Sequence, residues 1–432
     1  MKLPKLNRSI SMKINKSVKV KLFDQEIGTL GYDVDLKTAF FQYHPSYLNQ
    51  NTHKNIFPYV FKRISPIQKF NQYFGETYRG LPPMIADSLP DMFGNIIFKE
   101  WLNAQNKDFK NMSSLDQLMY VGKRGMGALE FEPNMENLPE SDIHINEIIE
   151  VVNQILELKS NTSENKLNSQ ALLNIYKIGT SAGGARPKIL ISEHKITGKI
   201  IPGDVNYSND YLHYLVKINI DEGLGYSKEK IEFAYYELAK QAGIRMSDSK
   251  LIDDKHFATT RFDRLNGKKI HTLTACGMTG WDYKKAEDSS YENLFKLAID
   301  LQIPISDINE LFLRMVFNVV FANIDDHLKN HSFIYNEDSD SWRLSPAYDI
   351  TYSLNLNLVF SNINRALSIN QKRNEISRKD IMKIANEFSI SNADETINKV
   401  IDISSLWNST AANLMIPNKV IQSIQNDFNL LN

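Results

Sequence analysis

Apolar and polar residues alternate along VKVKLFDQEIGTLGYD (18–33), the period of two expected of half-buried strands. The alternation breaks at a polar pair, which predicts a β-hairpin turning at Asp24-Gln25. Downstream, RGLPPMIADSLPDMFGNIIFKEWL (79–102) reads as a turn followed by a helix, and YVGKRGMGALEFEP (120–133) as a glycine-rich connection into a strand. Between roughly residues 138 and 160 the apolar positions fall at helical spacing. That helix is expected to link two domains, and NTSENKLNSQ after it to be a loop.

The second half is patterned more sharply. IYKIGTSAGGARPKILIS (175–192) reads as strand, small-residue loop, strand, and YLHYLVKINI (211–220) as a strand. SKEKIEFAYYELAKQAGI (227–244) has a serine start and a glycine stop around a helical period. HFATTRFDR (256–264) is a strand ending in charges. The remainder is mostly helical except for one hairpin, HSFIY and WRLSPAYDI joined by the turn NEDSDS.

Composition narrows the class. A chain of 432 residues is long enough for two domains or one large two-lobed body. With 42% hydrophobic and 23% charged residues it is an ordinary globular sequence. A net charge of −1 supplies no global field that would attract nucleic acid or acidic lipid. Cys276 is the only cysteine, so no internal disulfide forms, which fits a reducing compartment and a cytoplasmic protein. The first 23 residues carry seven Lys or Arg and no acid. No apolar run of signal-peptide length follows them, so they are expected to be a solvated tail leading into the first strand. No apolar run is long enough to span a membrane.

Chemistry concentrates in four places. Gly179, Gly183, Gly184 and Ala185 would let backbone amides approach a phosphate closely, and Arg186 and Lys188 flank them with positive charge. Lys217 stands in an otherwise apolar strand, where a lone lysine ordinarily faces solvent from a sheet edge. Glu232 follows on a helix fifteen residues later. A strand lysine paired with a helix glutamate is how kinases hold the α- and β-phosphates of ATP. Immediately after the apolar LFLRMVFNVVFA comes NIDDHLKNHSFIY (323–335), in which Asp325 precedes Asn330 by five residues. That is the kinase spacing of the aspartate that takes or orients the substrate hydroxyl proton and the asparagine that holds a metal ion. Asp349, in SPAYDIT, lies at the end of the following hairpin and would be the second Mg²⁺ ligand. Lys329 is placed to neutralise the γ-phosphate, and His327 to orient the Asp325 region. Asp326 has no catalytic part in this scheme and is expected to be a solvated or capping acid. Each signal alone is weak, but the ordered set points to phosphoryl transfer.

At these residues the chain resembles the HipA-type serine/threonine kinases, toxins of bacterial type II toxin–antitoxin systems. SAGGARPK (181–188) is similar to the family's phosphate loop, NIDDHLKNHSFIY and RLSPAYDI to its catalytic and metal segments, and RFDR (261–264) to its hinge. GLPPMIADSLPDMFG (80–94) and GALEF (127–131) resemble its N-terminal domain. The segments D-x-H-x-K-N and P-x-Y-D-I together are specific, whereas H-R-D, D-F-G and A-P-E are missing from these places. The loop has Arg186-Pro187 where some members have other residues.

The resemblance implies an α+β, two-lobed protein-kinase-like fold with an additional N-terminal α/β domain and a mostly helical C-terminal lobe. The divisions expected are a basic tail (1–16), the HipA N-terminal domain (17–150), a kinase N-lobe with the phosphate loop (151–262) and a C-lobe with the catalytic and metal segments (263–432). It implies that Ser181 is autophosphorylated and that residues 183–188, including Pro187, cover the ATP phosphates. Thr260, Arg261 and Phe262 would form the adenine hinge, with contacts from the backbone of Thr260 and Phe262. Asp325 would be the base, and Asn330 and Asp349 the Mg²⁺ ligands. The partners implied are a HipB-like helix-turn-helix antitoxin, DNA mainly through that antitoxin, and a protein substrate such as an aminoacyl-tRNA synthetase. Two other readings compete. One is a metal-dependent phosphohydrolase or nuclease built on Asp325, Asp326 and His327. The other is a catalytically inactive binding protein or co-repressor.

Overall fold

A computed structural model of the chain describes residues 16–89, 99, 112–133, 187–203, 208–220, 223–354 and 364–431. The expected linker helix near 138–160, the loop after it, and the small-residue loop with Ser181, Gly183, Gly184, Ala185 and Arg186 lie outside the described residues.

The N-terminal part is an antiparallel sheet in the order β4-β3-β2-β1-β5. Its strands are β1 (Lys16–Leu22), β2 (Gln25–Asp33), β3 (Thr38–Tyr43), β4 (Gln68–Lys69) and β5 (Glu130–Glu132). Among the described residues three helices accompany it: α1 (Pro45–Leu48), α2 (Pro83–Ala86) and α3 (Ser114–Val121). The first hairpin turns at Phe23-Asp24, one residue before the expected Asp24-Gln25. Both turn residues have positive φ (49° and 60°), as a two-residue loop matched to strand twist requires. A bulge absorbs the shift, since Val20 pairs with Gly28 and Lys21 with Glu26, leaving Ile27 as the extra residue.

The second sheet, β7-β6-β8-β10-β9, is antiparallel throughout. It comprises β6 (Lys188–His194), β7 (Ile200–Pro202), β8 (Tyr211–Lys217), β9 (Ser249–Ile252) and β10 (His256–Thr260). Helix α4 (Lys228–Ala242) crosses it, opened by the Ser227 side chain on the Lys230 amide and closed by Gly243 in the left-handed region (φ 95°). It buries Ile231, Ala234, Tyr235, Leu238 and Ala239, and with them Glu232.

Two short strands, β11 (Arg264–Leu265) and β12 (Lys268–Lys269), lead into the last lobe. There β13 (Thr272–Thr274) joins the expected hairpin, β14 (Ser332–Asn336) and β15 (Ser341–Leu344), in a three-stranded sheet. The helices are α5 (Ala275–Thr279), α6 (Tyr291–Asp300), α7 (Ile305–Val320), α8 (Arg378–Glu387), α9 (Ala393–Ser404), α10 (Trp407–Asn413) and α11 (Asn418–Asn426). The Tyr235 hydroxyl of α4 donates to the carbonyl of Phe321 just past α7 (2.7 Å), and its ring packs on Trp407 (5.5 Å). This ties the sheet to the helical lobe at the point where α7 delivers the polar segment 323–330.

The N-terminal part is fastened to the rest by polar contacts. The Asp340 carboxylate accepts the amides of Lys54 and Asn55 (3.0 Å each), and Trp342 Nε1 donates to the Asn55 carbonyl (2.8 Å). Asp263 accepts the Gly127 amide (2.8 Å), while the Arg264 guanidinium donates to the carbonyls of Gly127 and Gly125 (2.9 and 2.8 Å).

Candidate active site

Lys188 and Lys217 are cross-strand partners on β6 and β8, so their side chains leave one face of the sheet side by side. Lys217 lies on the middle strand and is buried, not turned to solvent from an edge. Its ammonium meets Glu232 of α4 at 2.5 Å and also contacts the Asp349 carboxylate. Lys188 Nζ lies 3.9 Å from the other Asp349 oxygen. Burial alone would lower the Lys217 pKa, but Asp349 and Glu232 outweigh it and raise it. Burial alone would raise the Asp349 carboxyl, but Lys188 and Lys217 outweigh it and hold the group below the usual range. Glu232 is pushed up by burial, with Lys217 opposing. Asp349 itself has positive φ (53°), which costs a non-glycine residue energy.

Across the cleft, the segment after α7 presents Asp325 at its surface. The Ser353 hydroxyl accepts the amides of Ile324 (2.8 Å) and Asp325 (3.2 Å), and Asn330 Nδ2 donates to the Asp325 carbonyl (2.8 Å). Together these fix the loop from both ends. The Asp325 side chain is 69% exposed by area yet recessed between the lobes, and that recess raises its pKa. His327 opposes the shift from 3.9 Å, and Asp349 adds to it. His327 packs against the Tyr283 ring (5.1 Å), and the Lys329 ammonium lies over the same ring (5.3 Å).

Asp326 faces the other way. It is 1% exposed, and its carboxylate accepts Tyr291 Oη (2.7 Å), Arg365 Nη2 (2.6 Å) and the Leu367 amide (3.3 Å). The expectation of a solvated or capping acid is corrected: Asp326 is an anchor beneath the loop. A buried carboxylate so fully used is not free for a metal, which removes one of the three residues on which the phosphohydrolase reading was built. No group of three or more His, Cys, Asp or Glu able to hold a metal occurs among the described residues.

Thr260, Arg261 and Phe262, the expected hinge, line the same cleft. The Thr260 amide donates to the Asp248 carbonyl (2.8 Å), continuing the pairing of β9 with β10. The Arg261 guanidinium is bonded to Asp263 (2.9 Å through both nitrogens) and is buried with it. Phe262 stacks on Tyr348 (5.8 Å), whose hydroxyl donates to the Lys329 carbonyl (2.7 Å). The Pro187 carbonyl accepts the Ile218 amide (3.0 Å).

These groups line a cleft of about 1730 Å³ that includes Lys188, Lys217, Asp325, Lys329, Asn330 and Asp349. One carboxylate and one amide oxygen, with lysines beside them, form a hard-oxygen donor set suited to Mg²⁺ that takes its remaining ligands from water and phosphate. Ser353, Tyr348 and Arg365 were missed in the sequence. Each acts on a residue 19 to 39 positions away, as the hydrogen bonds to Lys329, Asp325 and Asp326 show; no local motif marks Ser353 or Arg365, and Tyr348, though inside P-x-Y-D-I, was given no role there.

A small antiparallel sheet carrying buried lysines, set over a helical lobe that offers an Asp–Asn loop and a hairpin aspartate, is a kinase-like α+β architecture. Residues 180–407 match the HipA-like C-terminal domain and residues 18–132 the HipA N-terminal domain. The chain belongs to the HipA family. A HipA of Shewanella oneidensis MR-1, solved with HipB and its operator DNA, superposes with a TM-score of 0.63 over 96% of both chains at 17% identity, a likeness of fold. The Helicobacter pylori proinflammatory kinase CtkA overlaps at a TM-score of only 0.35 with 13% identity over 57% of this chain and 90% of its own, too loosely to bear on it. A Sinorhizobium fredii protein named as a candidate kinase, Y4dM, is 27% identical over 134 residues, covering 28% of this chain and 32% of its own length. No helix among the described residues is long and apolar enough to cross a membrane.

Proposed function

We propose that this chain is an ATP-dependent serine/threonine protein kinase and acts as the toxin of a toxin–antitoxin pair. The observation that carries the reading is the position of Lys217. It is buried between Glu232 and Asp349, with Asp325 and Asn330 on the facing wall of the same cleft. In the reaction, the hydroxyl of a protein serine or threonine attacks the γ-phosphorus of ATP, the bond to the β–γ bridging oxygen breaks, and ADP leaves. Asp325 accepts the hydroxyl proton, and its raised pKa brings it closer to the strength useful in a general base. Lys188 and Lys217 neutralise the ATP phosphates, and Lys329 the transferring group. Asn330 and Asp349 would hold Mg²⁺, which neutralises phosphate charge when bound.

Family membership supports the remaining parts of the proposal. They are a HipB-like helix-turn-helix antitoxin that carries the operator contacts, an aminoacyl-tRNA synthetase as the class of target, a cytoplasmic site of action, and autophosphorylation of Ser181 as an off switch. A phosphate adds about −1.5 to −2 charge at neutral pH and would repel the ATP phosphates that the loop must cover. The test is transfer of labelled γ-phosphate from ATP to protein. The Asp325→Asn variant should lose about 10²- to 10⁴-fold of the rate while keeping ATP affinity by calorimetry. An unchanged rate would refute the assignment of the base, and absence of ATP binding by the parent would leave the non-catalytic reading.

A further inference from the structure

We infer that Arg365 is a positioning residue for phosphoryl transfer, acting through Asp326 on the loop that presents Asp325; the inference rests on the kinase reading above. Arg365 is buried, and its Nη2 donates to the Asp326 carboxylate (2.6 Å) and to the Asn323 carbonyl (3.3 Å). The next two residues repeat the grip. The Ala366 amide donates to the Ile324 carbonyl (2.7 Å), and the Leu367 amide to the other Asp326 oxygen (3.3 Å). Residues 365–367 thus hold Asn323, Ile324 and Asp326 and pass over Asp325.

The grip is itself anchored. The Arg365 amide donates to the Arg373 carbonyl (2.8 Å), the Ser368 amide to the Ser289 carbonyl (3.1 Å), and the Tyr291 amide to the Ser368 carbonyl (3.0 Å). Leu367 and Ile369 are buried in the core of the helical lobe. Tyr291, which opens α6, also reaches the target, since its hydroxyl donates to Asp326 (2.7 Å) and accepts Asn318 Nδ2 (3.0 Å). Asn318 Oδ1 in turn accepts Asn323 Nδ2 (2.9 Å), so the polar chain closes on the segment from the α7 side. Arg365 supplies the positive charge that a carboxylate at the depth of Asp326 requires.

The effect falls on Asp325. Its amide is taken by Ser353 and its carbonyl by Asn330, and its neighbours on both sides are fixed from below by Arg365 and its companions. The Asp325 side chain is what remains to line the cleft. Arg365 touches no group that reacts. It sets the height and direction from which the base meets the substrate hydroxyl.

Arg365→Met keeps an apolar stem and deletes the donors and the charge. It should lower kcat about 10²-fold, the loss that a displacement of about 1 Å in a reacting group can cause. KM for ATP should stay within about twofold, because binding energy from Lys188 and Lys217 on the facing sheet is untouched. Arg365→Lys, which restores a cation and a donor, should recover about tenfold. Added to Asp325→Asn, Arg365→Met should cost nothing further, since no base is left to misplace. A residue that merely holds the fold together would give the same fractional loss with and without Asp325, and that result overturns the inference. If Arg365→Met does not fold, Asp326→Asn makes the same comparison, keeping an acceptor for Tyr291 and Arg365 and deleting the charge. If the parent transfers no phosphate, the kinase reading fails by itself. Amide hydrogen exchange of the folded variant then decides the inference: faster exchange confined to residues 320–331 upholds it, and unchanged or uniformly faster exchange overturns it.

Discussion

Lys217→Met keeps the length and apolar stem of the side chain and deletes its charge. In the parent the Lys217 and Glu232 side chains are 8% and 5% exposed, and Asp349 is 26% exposed. The substitution leaves two carboxylates facing one another with Lys188 as their remaining neighbour of opposite sign. Breaking a buried ion pair on one side costs about 3–5 kcal/mol, and the partial exposure of Asp349 places the expectation near the lower end, about 3 kcal/mol. The loss should depend on pH. Glu232 has a folded pKa raised above its unfolded value, and removing Lys217 removes the largest force opposing that rise. The folded state then binds the proton more tightly than the unfolded state, so stability falls as pH climbs from the unfolded pKa through the folded one. Urea unfolding of Lys217→Met should therefore show a larger deficit at pH 8 than at pH 5, and adding Glu232→Gln should recover part of it. ATP affinity should fall in parallel at either pH. A variant as stable as the parent at pH 8, or one whose deficit ignores both pH and Glu232→Gln, would refute the reasoning.

Asp349→Ala should abolish the gain in nucleotide affinity that Mg²⁺ confers, read by calorimetry with and without the ion; an undiminished gain would place the metal elsewhere. Gly277→Ala should destabilise the protein by about 1–3 kcal/mol through overpacking against Asp87, and Asp87→Ala in the same chain should recover most of it. Failure of that rescue in thermal melts would mean that the clash is with something else. Mass spectrometry should find phosphate on Ser181 in protein purified with Asp325 intact and none in Asp325→Asn; equal modification of both would mean that another kinase acts there.

What the sequence showed depended on how far apart the interacting residues lie. Asp325 and Asn330 share one loop because five residues of chain hold them together, and NEDSDS marks the turn that carries Asp349 back toward them. The Lys217–Glu232 pair was readable because one strand and one helix, each with its own periodicity, bracket it. Asp326 was not readable. It differs from Asp325 only by one step along the backbone, and its fate is set by Tyr291 and Arg365, 35 and 39 residues away. RFDR looked like a hinge alone, yet Asp263 and Arg264 spend their polar atoms on Gly125 and Gly127 of the other domain. Asp87 shows the same limit at greater range, since nothing near residue 87 announces a partner at 274.

The contact of Asp349 with Lys188 and Lys217 has a consequence for the order of events on the kinase reading. The carboxylate is the counter-ion of both ammonium groups, where the kinase reading would put phosphates. Nucleotide phosphates would take over those lysines and release the carboxylate, and Asp349 would then have an uncompensated charge to offer a cation. On that reading the cleft would work as an ion exchanger, trading an internal pair for two external ones. Metal binding would then follow from nucleotide binding and need no sensor of its own. Magnesium titrated into nucleotide-free protein should give no heat of binding, and a tight metal-only site would contradict this exchange.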